Sequence, residues 1–339
     1  MTVRVAAVGF GSWGPNLVRN LARLNDAMLI GIVDANEKNR AKASAAYPHV
    51  ITLPSLEELL ESDAHPEAIV IASSAPTHYE LAKTALEAGM HVFVEKPLTL
   101  TSADAAELVR LARDRDRVLM VGHLMLYHAA IEWIRDYVAK GELGEVRYVY
   151  AQRLNLGKVR TEENAFWSLA PHDVSMVLHL LGEDPTRVSA NGAAYINDGI
   201  QDTIFANLSF ASGKMANIHV SWLDPHKTRL LTVVGSKKML VFDDMQATEK
   251  VWVYDKGVEP AEALAYGEDL TLRFGDITVP FIRMTEPLGA EVQHFLDCCA
   301  TGATPRSSGV DGLRVVQVLE AVDASVAAGG APVDIDLDL

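Results

Sequence analysis

Short β-branched apolar runs alternate with longer segments of helical spacing along the first third of the chain. The runs Val3–Val8, Met28–Val33, Ala68–Ala72, His91–Val94 and Val118–Val121 have strand length. Between them, Asn16–Leu24, Glu37–Ala46, Leu56–Leu60, Thr77–Ala88 and Ser102–Asp114 repeat their apolar residues at helical intervals. Such alternation specifies a parallel sheet covered on both faces, so residues 1–122 are expected to form a doubly wound α/β domain. From residue 123 to 339 the pattern changes. Period-two runs appear at Val146–Gln152, Val188–Tyr195, Thr203–Phe210, Lys214–Ser221, Leu230–Gly235, Lys238–Phe242 and Lys250–Tyr254, separated by turns such as Ala211–Lys214 and Gly235–Lys237. These predict an α+β domain built on a large, open, mostly antiparallel sheet. Val174–Leu181, Glu286–Ala300 and Gly309–Ala328 read as helices, with Leu288–Cys299 expected to pack back near the domain junction. Lys256–Pro280 has weak periodicity and reads as an irregular loop plus a short strand.

Composition narrows the class. The 339 residues are 49% hydrophobic and 22% charged, which suits two globular domains. A formal net charge of -15 argues against a nucleic-acid partner, which needs a basic footprint. The two cysteines, Cys298 and Cys299, are adjacent and have no metal-ligand spacing, so they read as packing residues of a reduced compartment, and no metal site is expected. The apolar start runs straight into a glycine motif and reads as a strand; no run reaches the length that spans a membrane. A cytoplasmic protein without a membrane partner is expected. An open sheet with one uncovered face calls for self-association, so a homodimer or homotetramer through that sheet is expected as well.

The first strand ends in Gly9-Phe10-Gly11-Ser12-Trp13-Gly14, a GxGxxG pattern between a strand and a helix. Asp34 closes the second strand, about 20 residues past the last glycine. In this context Gly9 permits the tight turn, Gly11 admits the pyrophosphate, and Gly14 lets helix and strand pack closely. Ser12, Trp13 and the helix N-terminus border the anion, and Asp34 accepts from the adenosine ribose hydroxyls. That carboxylate repels a 2′-phosphate, so NAD is expected over NADP, with Lys38 and Arg40 lying further along. The segment Ser73-Ser74-Ala75-Pro76-Thr77-His78 follows a buried strand and opens a helix, which places Ser73, Ser74, Pro76 and His78 at the cofactor crevice; His78 reads equally well as a cap or surface residue.

Glu95-Lys96-Pro97, directly after a strand, makes the reading specific. Together with the glycine motif, Ala75–His78, Val121-Gly122-His123, Gly141–Gly144 and Pro171-His172-Asp173, it resembles the glucose–fructose oxidoreductase / inositol dehydrogenase / MocA family over nearly the whole chain. The resemblance implies a Rossmann domain for NAD, a C-terminal sheet domain, and a sugar bound beside the nicotinamide. It implies that Glu95 and Lys96 border the cofactor and that Lys96 meets the reacting hydroxyl, where an ammonium stabilises a developing alkoxide. Pro97 stiffens the turn that aims it. A lysine at a strand end is otherwise an ordinary solvated charge. Many family members carry Asp-x-x-x-His at the second constellation; this chain has Ser168 in the Asp position and keeps His172. Serine is no base without activation, so proton transfer falls to His172, with Asp173 available to cap the helix or orient the ring. A histidine at a helix start is more often a cap.

The segments Arg153–Gly157 through Arg160, Asn164–Trp167 and Ser221–Pro225 resemble the nucleotide-sugar 3-dehydrogenase branch of that family, which includes enzymes of UDP-N-acetylglucosamine and its uronate. The resemblance implies Arg153 and Arg160 for a diphosphate or carboxylate, Asn155 for a hydroxyl or N-acetyl group, and Trp167 or Trp222 for stacking. Each also fits an ordinary surface or packing role. Tyr127 and His128 are expected to approach the sugar from the domain junction. The expected reaction is NAD-dependent oxidation of a sugar hydroxyl at C3. A keto-sugar reductase using NADPH, a dehydrogenase of free sugar or inositol, and a silent NAD- and sugar-sensing regulator stay open beside it.

Overall fold

The computed structural model describes residues 2–157, 159–265 and 268–335. The chain divides into two compact units. Among the described residues, the first gathers 2–127 and also 286–317; the second holds those of 128–285 and 318–335. The boundary thus lies past residue 122, and a segment expected to belong to the C-terminal domain returns to the first unit.

In the first unit six strands form one parallel sheet: β1 (Val3–Val8), β2 (Ala27–Val33), β3 (Ile51–Leu53), β4 (Ala68–Ile71), β5 (His91–Glu95) and β6 (Leu119–Gly122), in the order β3-β2-β1-β4-β5-β6. Every neighbouring pair is parallel. This is the doubly wound Rossmann order, with the switch point between β1 and β4. The inner strands are near-continuous apolar runs because both faces are covered. Ala6 and Val8 of β1 join Ile69, Ile71, Val92 and Val94 beneath Leu86 and Leu108, while Ala7 packs to the other side with Phe10, Val18 and Ile32. Helices α1 (Gly14–Leu21), α2 (Glu37–Ala46), α3 (Leu56–Glu61), α4 (His78–Glu87) and α5 (Ser102–Asp114) connect the strands. Asn36, Ser55 and Thr101 start α2, α3 and α5 by accepting from the backbone N–H of Lys38, Glu58 and Asp104. The three-residue β3 was not expected from the pattern; only Ile51, Thr52 and Leu53 pair, along the edge of β2.

The returning segment completes the other edge. The Val121 N–H donates to the Ser307 carbonyl at 2.8 Å, and Met120 bridges to Ser308 beside β6. Phe295, in the helix Pro287–Thr301, is fully buried and meets the ring of Phe93 on β5 edge-on at 5.8 Å.

The second unit is a nine-stranded sheet. It comprises β7 (Val146–Leu154), β8 (Pro185–Ala193), β9 (Thr203–Phe210), β10 (Met215–Ser221), β11 (Thr228–Gly235), β12 (Met239–Asp243), β13 (Val251–Ala265), β14 (Glu268–Thr278) and β15 (Val333–Asp334). Their order is β14-β13-β12-β11-β7-β10-β9-β8-β15, and only β7 and β10 run parallel. Helices α6 (Ala129–Ala139), α7 (Ala165–Leu169) and α8 (Pro171–Leu181) accompany it. The alternation is legible in β9, where Ile204, Ala206, Leu208 and Phe210 are buried while Phe205 and its alternate neighbours face out. The opposite face stays open, with Tyr148 stacked on Tyr150 and Phe205 on His219. Lys256–Pro280 is not the irregular loop expected. Apart from Tyr266 and Gly267, which lie outside the described residues, it belongs mainly to the β13–β14 hairpin. Exposure of Val258, Leu272 and Phe274 blurs the period-two signal there.

Helix α9 (Pro287–Thr301) therefore completes the core of the first unit. Phe295→Ala should cost about 3–5 kcal/mol of stability, the range for emptying a buried aromatic site. Denaturant unfolding followed by circular dichroism checks it.

Candidate active site

The carboxyl edge of the parallel sheet builds the cofactor crevice. Gly9 takes φ +99°, and a β-carbon on Gly14 would stand 2.0 Å from the Gly9 carbonyl oxygen, so only glycine lets α1 start this close to β1. No side chain caps α1, which leaves its first-turn N–H groups to an anion. Asp34, at the end of β2, faces this loop: its Oδ2 accepts from the Phe10 N–H at 2.6 Å, and its Oδ1 from the Asn36 N–H at 2.8 Å. Asn39 adds its amide at 3.2 Å. Arg40 donates through Nη1 to the Asp34 and Ala35 carbonyls at 2.9 and 2.8 Å. Sequence reasoning placed Arg40 further along the helix and missed that it folds back to the end of β2.

The loop after β4 is held from within. The Ser73 and Thr77 hydroxyls meet at 2.7 Å, and Thr77 donates to the Ser74 carbonyl at 2.8 Å. His78 is buried rather than a surface residue. Its Nδ1 lies 2.8 Å from the Pro97 carbonyl, tying this loop to the turn after β5. Burial holds the imidazole below its ordinary pKa, so it is neutral and donates from Nδ1.

Glu95 ends β5 and Lys96 follows it. The Trp13 indole donates to Glu95 Oε1 at 2.5 Å, joining the glycine loop to this strand, and Oε2 lies 3.3 Å from the Lys96 N–H. Lost solvation pushes the Glu95 carboxyl up to about 7, against the Trp13 hydrogen bond and the Lys96 charge. His123, after β6, is buried, and neither ring nitrogen finds a hydrogen bond among the described residues. Burial first, then the Lys96 ammonium, drives it down to about 3, so it too is neutral. The structure thus gathers Gly9, Gly11, Ser12, Trp13, Gly14, Asp34, Ser73, Ser74, Pro76, His78, Glu95 and Lys96 along one edge of one sheet, which is the arrangement a dinucleotide requires.

Ser168 on α7 and His172 in the first turn of α8 stand at the end of a different sheet. Asn164 starts α7, its Oδ1 accepting from the Phe166 and Trp167 N–H groups at 3.0 and 3.1 Å. Trp167 is buried, and its indole donates to Asp323 Oδ2 at 2.6 Å; Asp323 also accepts from Asn164 at 2.8 Å. Trp167 is therefore spoken for by packing rather than open for stacking. Arg153 departs further from expectation. Its Nε and Nη2 grip the two oxygens of Asp173 at 2.6 and 3.1 Å, both residues buried. The guanidinium that suggested a diphosphate clamp instead anchors α8 to β7, one residue from His172. Tyr127, in the first unit, is buried with its hydroxyl 3.0 Å from Ser307 Oγ, so it too is a packing residue here. Asn155 donates its backbone N–H to the Ser221 carbonyl at 3.0 Å. Arg160 lies at the surface, 3.2 Å from Glu163.

Residues 3–123 match the oxidoreductase family, NAD-binding Rossmann fold, and residues 131–241 match the GFO/IDH/MocA C-terminal domain. The chain belongs to the Gfo/Idh/MocA oxidoreductase family. It is 29% identical to the UDP-N-acetylglucosamine 3-dehydrogenase of Acidithiobacillus ferrooxidans, over 95% of this chain and 98% of that one. It is 26% identical to the inositol 2-dehydrogenase of Rhizobium meliloti, over 96% and 98% of the two chains. A solved structure of the Acidithiobacillus enzyme superposes with a TM-score of 0.83 at 26% identity, covering 97% of this chain and 99% of that one. Like the family, this oxidoreductase binds NAD on its Rossmann unit. Among the described residues no helix is long and apolar enough to cross a membrane.

The Arg153–Asp173 pair yields a test. Arg153→Leu leaves a buried carboxylate without its partner and should destabilise by about 3–5 kcal/mol, whereas Arg153→Leu/Asp173→Leu should recover most of the loss. Urea unfolding of the two variants separates these outcomes.

Proposed function

We propose that this oxidoreductase oxidises the C3 hydroxyl of an N-acetylglucosamine-type sugar carried on UDP. The observation that carries the reading is the setting of Lys96 at the carboxyl edge of the sheet, beside a glutamate that Trp13 ties to the glycine loop. Similarity to an enzyme named for this oxidation supports the sugar. Similarity to inositol 2-dehydrogenases favours a second reading, the same chemistry on a free cyclic polyol.

In this reading the Lys96 ammonium holds the substrate oxygen and stabilises the charge that grows as its O–H bond breaks. The imidazole of His172 takes that proton. The carbon–hydrogen pair leaves as hydride and the C=O bond forms. When bound, NAD+ supplies the acceptor for that hydride. Ser168, in place of the family's carboxylate, leaves His172 as the base. Asn155 and Arg160 contact the substrate, while Arg153, Trp167 and Tyr127 act by holding the elements that carry the site.

Purified protein with NAD+ should give nicotinamide reduction with UDP-N-acetylglucosamine or its uronate; where 2-oxoglutarate is added to reoxidise tightly held NADH, its reduction to the 2-hydroxy acid is the signal instead. Reduction by myo-inositol alone overturns the nucleotide-sugar reading, and silence with all three overturns the dehydrogenase reading in favour of a keto-sugar reductase or sensor. His172→Ala should lower turnover by about 10²–10⁴-fold with NAD affinity retained.

The open sheet face, with Tyr148, Tyr150, Phe205 and Met215 exposed, is the surface through which the chain self-associates in this reading. Light scattering should give a dimer or tetramer, and Tyr150→Lys/Phe205→Lys should shift it toward monomer. An unchanged mass in that variant removes the face from assembly.

A further inference from the structure

One titratable group of the first unit has no part in the chemistry above. Glu291 lies on α9 with no exposed surface, and neither carboxyl oxygen has a hydrogen-bond partner among the described residues. Its neighbours on that helix face, Leu288, Val292 and Phe295, are apolar. A bare carboxylate in such a place is very costly, so the group stays protonated.

The packing register says what it faces. On β5, residues 93 and 95 point to one side of the sheet. On α9, residues 291 and 295 lie one turn apart on one face. The rings of Phe93 and Phe295 meet at 5.8 Å, and Glu291 acts on Tyr127, which follows the carboxyl end of β6, so Glu291 lies toward Glu95 rather than toward His91 along the same interface. The electrostatics agree: burial first, then the Glu95 charge, holds the Glu291 carboxyl well above the ordinary carboxylate range. Of the two acids, Glu95 has the donors, in the Trp13 indole and the Lys96 N–H. Other charged or titratable groups surround them. Lys96 acts on Glu95 and on the neutral rings of His123 and His78. Tyr127 feels Glu291, with the Arg306 guanidinium 4.9 Å from its ring centre and His294 at 5.5 Å.

We propose that Glu95 and Glu291 form a one-charge acid pair beneath the glycine loop, in which Glu291 stays neutral and Glu95 gives up its proton when NAD+ binds. Glu95 titrates in the neutral range and is bonded to the loop that receives the cofactor. The nicotinamide ring of NAD+ carries a positive charge that NADH lacks, so the oxidised cofactor favours the ionised pair. By linkage, NAD+ affinity then rises with pH through neutrality, by up to about tenfold per unit for one released proton, while NADH affinity changes less. The proton leaves from the Glu95 carboxyl to solvent, and no bond to the cofactor forms. The inference rests on the NAD site and is independent of the sugar.

The test is calorimetric titration of the whole protein with NAD+ or NADH alone, near neutral pH, in two buffers of unequal protonation enthalpy. Proton release on binding NAD+, smaller with NADH and lost in Glu95→Gln, is the expected result. Should that variant fail to fold, Trp13→Phe removes the donor that favours ionised Glu95, and maximal release should move to higher pH. No release in the wild type, or undiminished release in Glu95→Gln, overturns the proposal. Glu291 is read separately from stability. A group that stays protonated only when folded makes stability fall as pH rises above the unfolded carboxylate range, by about a tenfold drop in the folding constant per unit per proton. Glu291→Gln should flatten that slope and leave the NAD+-linked proton in place; an unchanged slope overturns the neutral assignment. A protein that oxidises no sugar yet shows these linkages loses the proposed substrate and keeps the acid pair.

Discussion

The 2.0 Å that would separate a Gly14 β-carbon from the Gly9 carbonyl oxygen is the limit from which the first unit is laid out. Because neither residue carries a side chain, α1 begins almost on top of the end of β1, and the intervening loop is drawn tight over the sheet edge. The same tightness brings the Phe10 N–H onto Asp34 and the Trp13 indole onto Glu95. One strand end thereby sets the position of two others, β2 and β5, each of which delivers a carboxyl group. A bulkier residue at either glycine disturbs all three.

Much of this unit was legible because its signals are local. Apolar strand runs, a glycine motif in strand–helix context and Glu95-Lys96-Pro97 need no knowledge of distant residues. Arg153, Trp167 and Tyr127 were different. Each has a side chain suited to a ligand, and each meets instead a partner far along the chain: Asp173, Asp323 and Ser307. Residue type announces hydrogen-bonding capacity, while only the fold says where that capacity is used. Glu291 left a faint trace, a charged residue within an apolar helical stripe at Leu288, Val292, Phe295 and Leu296. The β13–β14 hairpin left almost none, since solvent reaches side chains such as Val258 and Phe274 and the chain need not alternate.

The second unit holds its candidate base by electrostatic means. Burying Arg153 and Asp173 strips both of water, and their two-pronged contact offsets that loss only in a narrow geometry. A pair of this kind adds less stability than an apolar contact of equal size, but it tolerates little rotation. Asp323 imposes similar exactness on α7 by gripping Trp167 and Asn164 together. Ser168 and His172 are thus carried by helices whose starts are pinned, α8 through a buried ion pair and α7 through the half-buried Asp323.

The division of the chain has a consequence for how it is made. The ribosome finishes the five βα crossovers of the first unit early, but Phe93 then lacks Phe295 and the edge of β6 lacks the Ser307 and Ser308 backbone. The missing pieces follow only after the 158 residues from 128 to 285 have emerged. At about 5–20 residues per second that is a wait of roughly 8–30 s, during which a nascent sheet presents an apolar patch and an unpaired strand to its surroundings. Its completion is a late, long-range closure, since α9 and the Ser307–Ser308 backbone are synthesised only after all of residues 128–285.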